Sequence, residues 1–116
     1  MRHQKVGRKL GRSAEHRRAL IRNLMIELID HRKIQTTMAK AKTVQPEIEN
    51  LLALAREDTP QSRKVALSRL SSKEAMRSLF AFAPQEYAGR NGGFTRITKL
   101  GPRLGDGAEM VMLELL

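Results

Sequence analysis

Apolar residues in the first half of the chain recur at three- and four-residue spacing, which is typical of one face of a helix. After Ser13, which suits an N-cap, the larger apolar residues form one stripe: Leu20, Ile21, Leu24, Met25 and Leu28. This pattern predicts a first helix from Ser13 to near His31. The alternation of polar and apolar residues around Ile34 predicts a short strand over 33–36, with Thr37 as the next N-cap.

The same spacing predicts three further helices. The second follows Thr37, has its apolar stripe over residues 41–55 and contains Pro46, which should bend or restart it. Thr59 followed by Pro60 predicts the start of a short third helix. Ser72 begins a fourth, which we expect to end before Pro84, because the residue before a proline disfavours the helical conformation.

From Asn91 onward the composition is typical of strands. Residues 94–100 and 110–115 are predicted to pair antiparallel, and the connector between them should expose Arg103. Both faces of the last strand are apolar, so we expect it to be covered on both sides. The elements together predict an α/β fold of the α+β type, with about four helices on a small mixed sheet of about three strands.

Length and composition narrow the class of protein. A chain of 116 residues fits one domain, and the lack of cysteine excludes disulfides and thiolate metal sites. Only 3% of residues are aromatic, which argues against binding nucleic acid by base stacking. No apolar run reaches the roughly 18 residues of a membrane span, so we expect no membrane partner. The charged start is unlike a secretory signal, and its glycines disfavour a mitochondrial transit peptide.

The positive charge is concentrated at the N-terminus. The net charge is +10, and residues 1–20 hold seven basic residues against Glu15 alone, whereas residues 21–58 are balanced. Residues 1–13 have too few apolar groups to offset the entropy of ordering, so we expect an arm that is disordered when free, followed by a globular domain over 14–116. Such a tail can improve solubility, direct nuclear import or bind a polyanion, and charge alone does not choose among these roles.

Arg17 and Arg18 fall in the first turns of the first helix, where the helix dipole disfavours cations. A nearby phosphate would make this placement favourable, since helix N-termini bind anions. The alternative is that both side chains are simply solvated, where salt screens the cost. We interpret them as candidate phosphate contacts.

The residues that could act in catalysis do not form a recognisable cluster. His3, His16 and His31 lack neighbours that would make a nucleophile, a base and an orienting group. Glu47 and Glu49 are two apart, on different sides of a helix, and are expected to be solvated surface. The sequence therefore predicts no enzyme, no cofactor and no small-molecule substrate.

The glycines of residues 89–93 lack the spacing of a phosphate loop and precede a strand instead of a helix. Glycine does permit close backbone approach, and Arg90 and Arg96 flank the segment. This segment is therefore a candidate contact with a nucleic-acid backbone.

Several short motifs occur in a fixed order along the chain. They comprise Met1, Arg2, His3, Lys5, Gly7, Arg8 and Leu10; His16, Arg17, Arg22 and Asn23; Thr36, Thr37 and residues 39–42; and residues 90–93, Thr95, Arg96, Ile97, Lys99 and Gly101. With these motifs, the chain resembles the bacterial large-subunit ribosomal protein seventeen family over nearly its whole length. The resemblance implies a small α/β domain in the cytoplasmic ribosome, bound to large-subunit rRNA beside other ribosomal proteins near the nascent-chain exit region.

The resemblance also implies two sets of rRNA-binding residues. The main set is Arg2, His3, Lys5, Arg8, Lys9, Arg12, His16, Arg17, Arg18 and Arg22. The second set is Lys40, Lys42, Arg90, Arg96, Lys99 and Arg103. Gln4 stands where many members have another basic residue, which puts one phosphate contact in doubt. The rival hypotheses are a DNA-binding or architectural protein and, more distantly, a small hydrolase.

Overall fold

The computed structural model describes residues 13–116, and in that part of the chain it contains four helices and three strands. They follow in the order α1 (Ala14–His31), β1 (Lys33–Thr37), α2 (Met38–Leu54), α3 (Pro60–Leu70), α4 (Lys73–Tyr87), β2 (Thr95–Pro102) and β3 (Glu109–Leu115). The predicted α+β fold is confirmed. The predicted basic arm lies outside the described residues, except for Ser13.

A hydroxyl side chain caps the start of every described helix. In each case the oxygen accepts a hydrogen bond from the backbone N–H three residues on, at 3.0–3.3 Å, and the caps are Ser13, Thr37, Thr59 and Ser72. A cap of this kind stabilises a helix by about 1 kcal/mol, because it satisfies an N–H that has no partner within the helix. The four predicted helix starts are confirmed.

Two prolines lie inside helices. Pro46 is within α2, which remains a single element as predicted. Pro84 is within α4, so the prediction that this helix ends before Pro84 was wrong. A proline inside a helix removes one hydrogen bond and costs about 3 kcal/mol. Continuing the helix buries Tyr87, whose ring lies 6.2 Å from that of Phe82 and 5.0 Å from that of Phe94 between centroids, and this packing offsets the cost.

The three strands form one sheet in the order β1-β3-β2. Leu113 of the central strand is opposite Ile34 of β1 and Ile97 of β2, and both pairings are antiparallel. The sheet is therefore antiparallel throughout the described residues, not mixed as predicted. The chain passes from β1 through the three helices α2, α3 and α4 into β2, which runs in the same direction as β1, and the loop after β2 turns the chain back into the central strand β3.

The helices cover one face of the sheet. Val111 and Leu113 are fully buried in the core on that face, whereas Met110 and Met112 on the other face are only half-buried. The prediction that β3 is covered on both sides was therefore wrong, although β3 is the central strand.

Candidate nucleic-acid interface

The first half of α1 presents three arginines, Arg17, Arg18 and Arg22. None of them forms an ion pair with a carboxylate among the described residues. Residues 1–12 contain no Asp or Glu and so have no carboxylate to offer. Glu15 is the acidic residue in the first turn of α1, and His16 beside it is exposed. This end of α1 is therefore rich in cations that are available to an external anion.

The start of α2 has a similar character. Thr37 caps the helix, and its first turn contains no acidic residue. Lys40 is half-buried in that turn and Lys42, two residues further on, is exposed. Cations at the positive end of a helix dipole are unfavourable alone and become favourable when an anion binds.

The basic residues near the sheet differ from those on α1. Arg96 donates to Glu114 across the strands at 2.9 Å, and Arg103 is paired with Asp106. The guanidinium of Arg90 lies over the ring of Tyr87, 5.3 Å from its centroid, while Lys99 is exposed. An RNA phosphate would have to compete with a carboxylate for Arg96 and Arg103. Their assignment to RNA stays a prediction.

The loop between β2 and β3 is held by its own hydrogen bonds. The hydrogen bond from Arg103 and the backbone N–H of Ala108 hold the pKa of Asp106 at about 2, well below its usual range. The backbone N–H of Arg103 also donates to the carbonyl of Ala108 at 2.7 Å. Leu104 is 98% exposed within this ordered loop. The side chain of Arg103 is thus near the surface as predicted, but it is already paired.

Arg56 positions the segment that contains Arg90. Its guanidinium donates to the carbonyl of Arg90 at 2.7 Å and to the carbonyl of Ala53 at 3.0 Å. Arg56 could not be identified from the sequence, because an arginine near the end of a helix usually has a solvated side chain. Its role depends on a contact with a residue 34 positions further along the chain.

Glu49 connects α2 to the start of β2. Its carboxylate accepts hydrogen bonds from the backbone N–H of Phe94 at 3.2 Å and from the hydroxyl of Thr95 at 2.6 Å. The expectation that Glu49 is solvated surface was therefore wrong. Glu47, in contrast, is exposed.

We expect the substitution Glu49→Ala to lower the free energy of unfolding by about 1–3 kcal/mol, because it leaves partly buried donors without their charged acceptor. Urea denaturation followed by circular dichroism measures this change. The matched control is Glu47→Ala, which should change stability by less than about 0.5 kcal/mol. Equal effects of the two substitutions would contradict a structural role for Glu49.

A groove of about 290 Å³ lies between α1, α2 and α3. Its walls carry Arg18 and Arg22 from α1, Arg69 from α3 and Glu47 from α2, with Ile21, Met25 and Ser68 completing the lining. Arg69 could not be identified as a site residue from the sequence. It lies in the last turn of α3, where a cation stabilises a helix by its interaction with the helix dipole. This position gave it an ordinary structural explanation.

The His, Asp and Glu side chains of the described residues are dispersed over the domain. In residues 13–116 no cluster of three or more His, Asp or Glu side chains is suited to hold a metal ion. His16 and His31 lie in the first and last turns of α1, roughly 22 Å apart along its axis. Within the same range, no helix is both long and apolar enough to cross a membrane.

Comparison with known proteins identifies the family. Residues 20–116 match the model of the family described as Ribosomal protein L17. The chain belongs to the ribosomal protein L17 family. The protein named Large ribosomal subunit protein bL17 from Chloroflexus aurantiacus (strain ATCC 29366 / DSM 635 / J-10-fl) is 68% identical over 116 residues, which is the whole of both chains. The protein of the same name from Thermomicrobium roseum is 46% identical over all of this chain and 99% of its own length.

The match to the L17 family model includes most of the described domain. It contains Arg22, Lys40 and Lys42, the groove residue Arg69 and all three strands. The model match begins after Arg17 and Arg18, whereas the alignments with both bL17 relatives extend over residues 1–116. The N-terminal basic residues are therefore part of the region shared with these L17 proteins.

Proposed function

We propose that this chain is a non-catalytic structural constituent of the large ribosomal subunit that binds large-subunit rRNA. The proposal is supported by membership of the L17 family and by relatives named Large ribosomal subunit protein bL17. Its partners are large-subunit rRNA and neighbouring ribosomal proteins, and it works on the ribosome in the cytoplasm. By its resemblance to the family, its place is near the nascent-chain exit region.

The observation that carries the RNA-binding part of this proposal is the set of unneutralised arginines on α1. Arg17, Arg18 and Arg22 follow the capped N-terminus of the helix, where free backbone N–H groups and the dipole also favour an anion. RNA phosphates supply that anion. Recognition through phosphates and helix shape needs no base stacking, which agrees with the low aromatic content.

The arm and the domain have different parts in RNA binding. Residues 1–13 form an arm that becomes ordered on folded rRNA, and the domain over 14–116 fixes the position of the end of the arm that is joined to α1. The arm residues Arg2, His3, Lys5, Arg8, Lys9 and Arg12 continue the basic surface of α1. Lys40, Lys42 and Lys99 supply further phosphate contacts from the domain, together with Arg90, Arg96 and Arg103.

Salt dependence and competition test this proposal on the full chain. With six to eight phosphate contacts, the slope of log affinity against log salt for an rRNA fragment should be on the order of −4 to −7. Structured rRNA should displace the chain from duplex DNA when the two compete at equal nucleotide concentration. A slope near zero would contradict phosphate binding, and a preference for duplex DNA would favour the architectural DNA-binding hypothesis.

A further inference from the structure

The groove between α1, α2 and α3 contains arginines from two different helices. Arg18 and Arg22 of α1 face it together with Arg69 of α3, and none of the three pairs with a carboxylate among the described residues. Elsewhere in the described domain, four arginines are each paired with a carboxylate: Arg32, Arg63, Arg96 and Arg103. The groove therefore brings together three arginines that form no ion pair with a carboxylate of the described residues.

The groove also has an apolar part. Ile21, which is half-buried, and Met25, which is only 4% exposed, both line it. The backbone of an RNA duplex is hydrated and gains nothing from apolar contacts. A base or ribose that leaves the helix does gain from them, and guanidinium planes also stack on unpaired bases.

Glu47 adds a carboxylate to this basic groove. It lines the groove but forms no ion pair with Arg18, Arg22 or Arg69 in the described structure. A carboxylate repels a bare phosphate and accepts hydrogen bonds from base amino groups or a ribose hydroxyl. A ligand that suits the whole groove must therefore combine negative charge, an apolar face and hydrogen-bond donors.

We infer that this groove binds a single unpaired nucleotide of RNA. The phosphate lies between Arg18, Arg22 and Arg69, the base or ribose packs on Ile21 and Met25, and Glu47 accepts a hydrogen bond from the nucleotide. The inference rests on the proposed function, because it needs RNA as the partner. It goes further by adding Arg69 to the RNA-binding residues and by predicting a preference for an extruded nucleotide over continuous duplex.

The test compares two RNA hairpins that differ by one bulged nucleotide in the stem. Fluorescence anisotropy with the full chain should show about tenfold tighter binding to the bulged hairpin. Arg69→Ala should reduce this preference to less than about twofold, and Arg69→Glu should abolish it. The matched control is Arg77→Ala, which removes the same charge from an exposed position on α4 and should leave the preference unchanged.

The outcomes separate this inference from the proposed function. If both hairpins bind with equal affinity and a steep salt dependence, the groove assignment is overturned while rRNA binding stands. If neither hairpin binds, both proposals are overturned. If an acidic peptide binds more tightly than the bulged hairpin and loses affinity with Arg69→Ala, the groove belongs to a protein partner and the inference is wrong.

Discussion

Deleting residues 1–12 is expected to weaken binding to large-subunit rRNA by about a hundredfold or more at moderate salt. The deletion removes Arg2, Lys5, Arg8, Lys9 and Arg12, and it removes no acidic residue. If each cation neutralises one phosphate, the slope of log affinity against log salt should become less steep by about 4. Filter binding over a range of salt concentrations measures both effects.

A second variant separates the effect of the charge of the arm on RNA binding from the effect of its length. Substituting the five basic arm residues with glutamine keeps the length of the arm and should weaken binding nearly as much as the deletion. Both variants should keep the urea unfolding transition of the full chain, because Ser13 still caps α1 and the core residues lie beyond the arm. An unchanged salt slope, or normal incorporation of the deletion variant into large subunits, would contradict a role of the arm in RNA binding.

The largest expected effect on stability comes from the centre of the sheet. Leu113 is fully buried, and it is opposite Ile34 on one side and Ile97 on the other. Leu113→Ala should lower the free energy of unfolding by about 2–5 kcal/mol, since it removes buried apolar atoms and leaves a cavity. This is a large part of the roughly 5–15 kcal/mol that stabilises a typical domain.

The control for this prediction is the same substitution at a surface position. Leu104 is 98% exposed in the loop between β2 and β3, so Leu104→Ala should change stability by less than about 0.5 kcal/mol. The chain has no tryptophan, so the urea transition is best followed by circular dichroism. A comparable loss of stability in the two variants would show that Leu113 is not central to the core.

Features that depend on neighbouring residues could be predicted from the sequence. The N-caps Ser13, Thr37, Thr59 and Ser72 interact with N–H groups only three residues away, and all four helix starts were found. The prediction for Pro84 was wrong because a local rule was applied alone. The packing of Tyr87 against Phe94, a residue from a later part of the chain, decides where α4 ends.

The candidate site shows the same division between local and distant contacts. Basic residues on α1 and α2 were identified from their positions in the sequence, since a helix N-terminus is a local feature. The role of Glu49 and the groove at Arg69 depend on how α2 meets β2 and how α3 meets α1. The spacing of residues in the sequence does not show which helices and strands come into contact. Neither the role of Glu49 nor the groove at Arg69 was therefore predicted.

The strand order has a consequence for how the chain is made. The central strand β3 is the last of the described strands in chain order, and β1 and β2 are joined only through it. During synthesis from the N-terminus, neither outer strand has its partner until β3 is complete. We therefore expect the basic end of α1 to be exposed to RNA well before the sheet closes, so that the order of synthesis brings the RNA contacts first and the finished domain last.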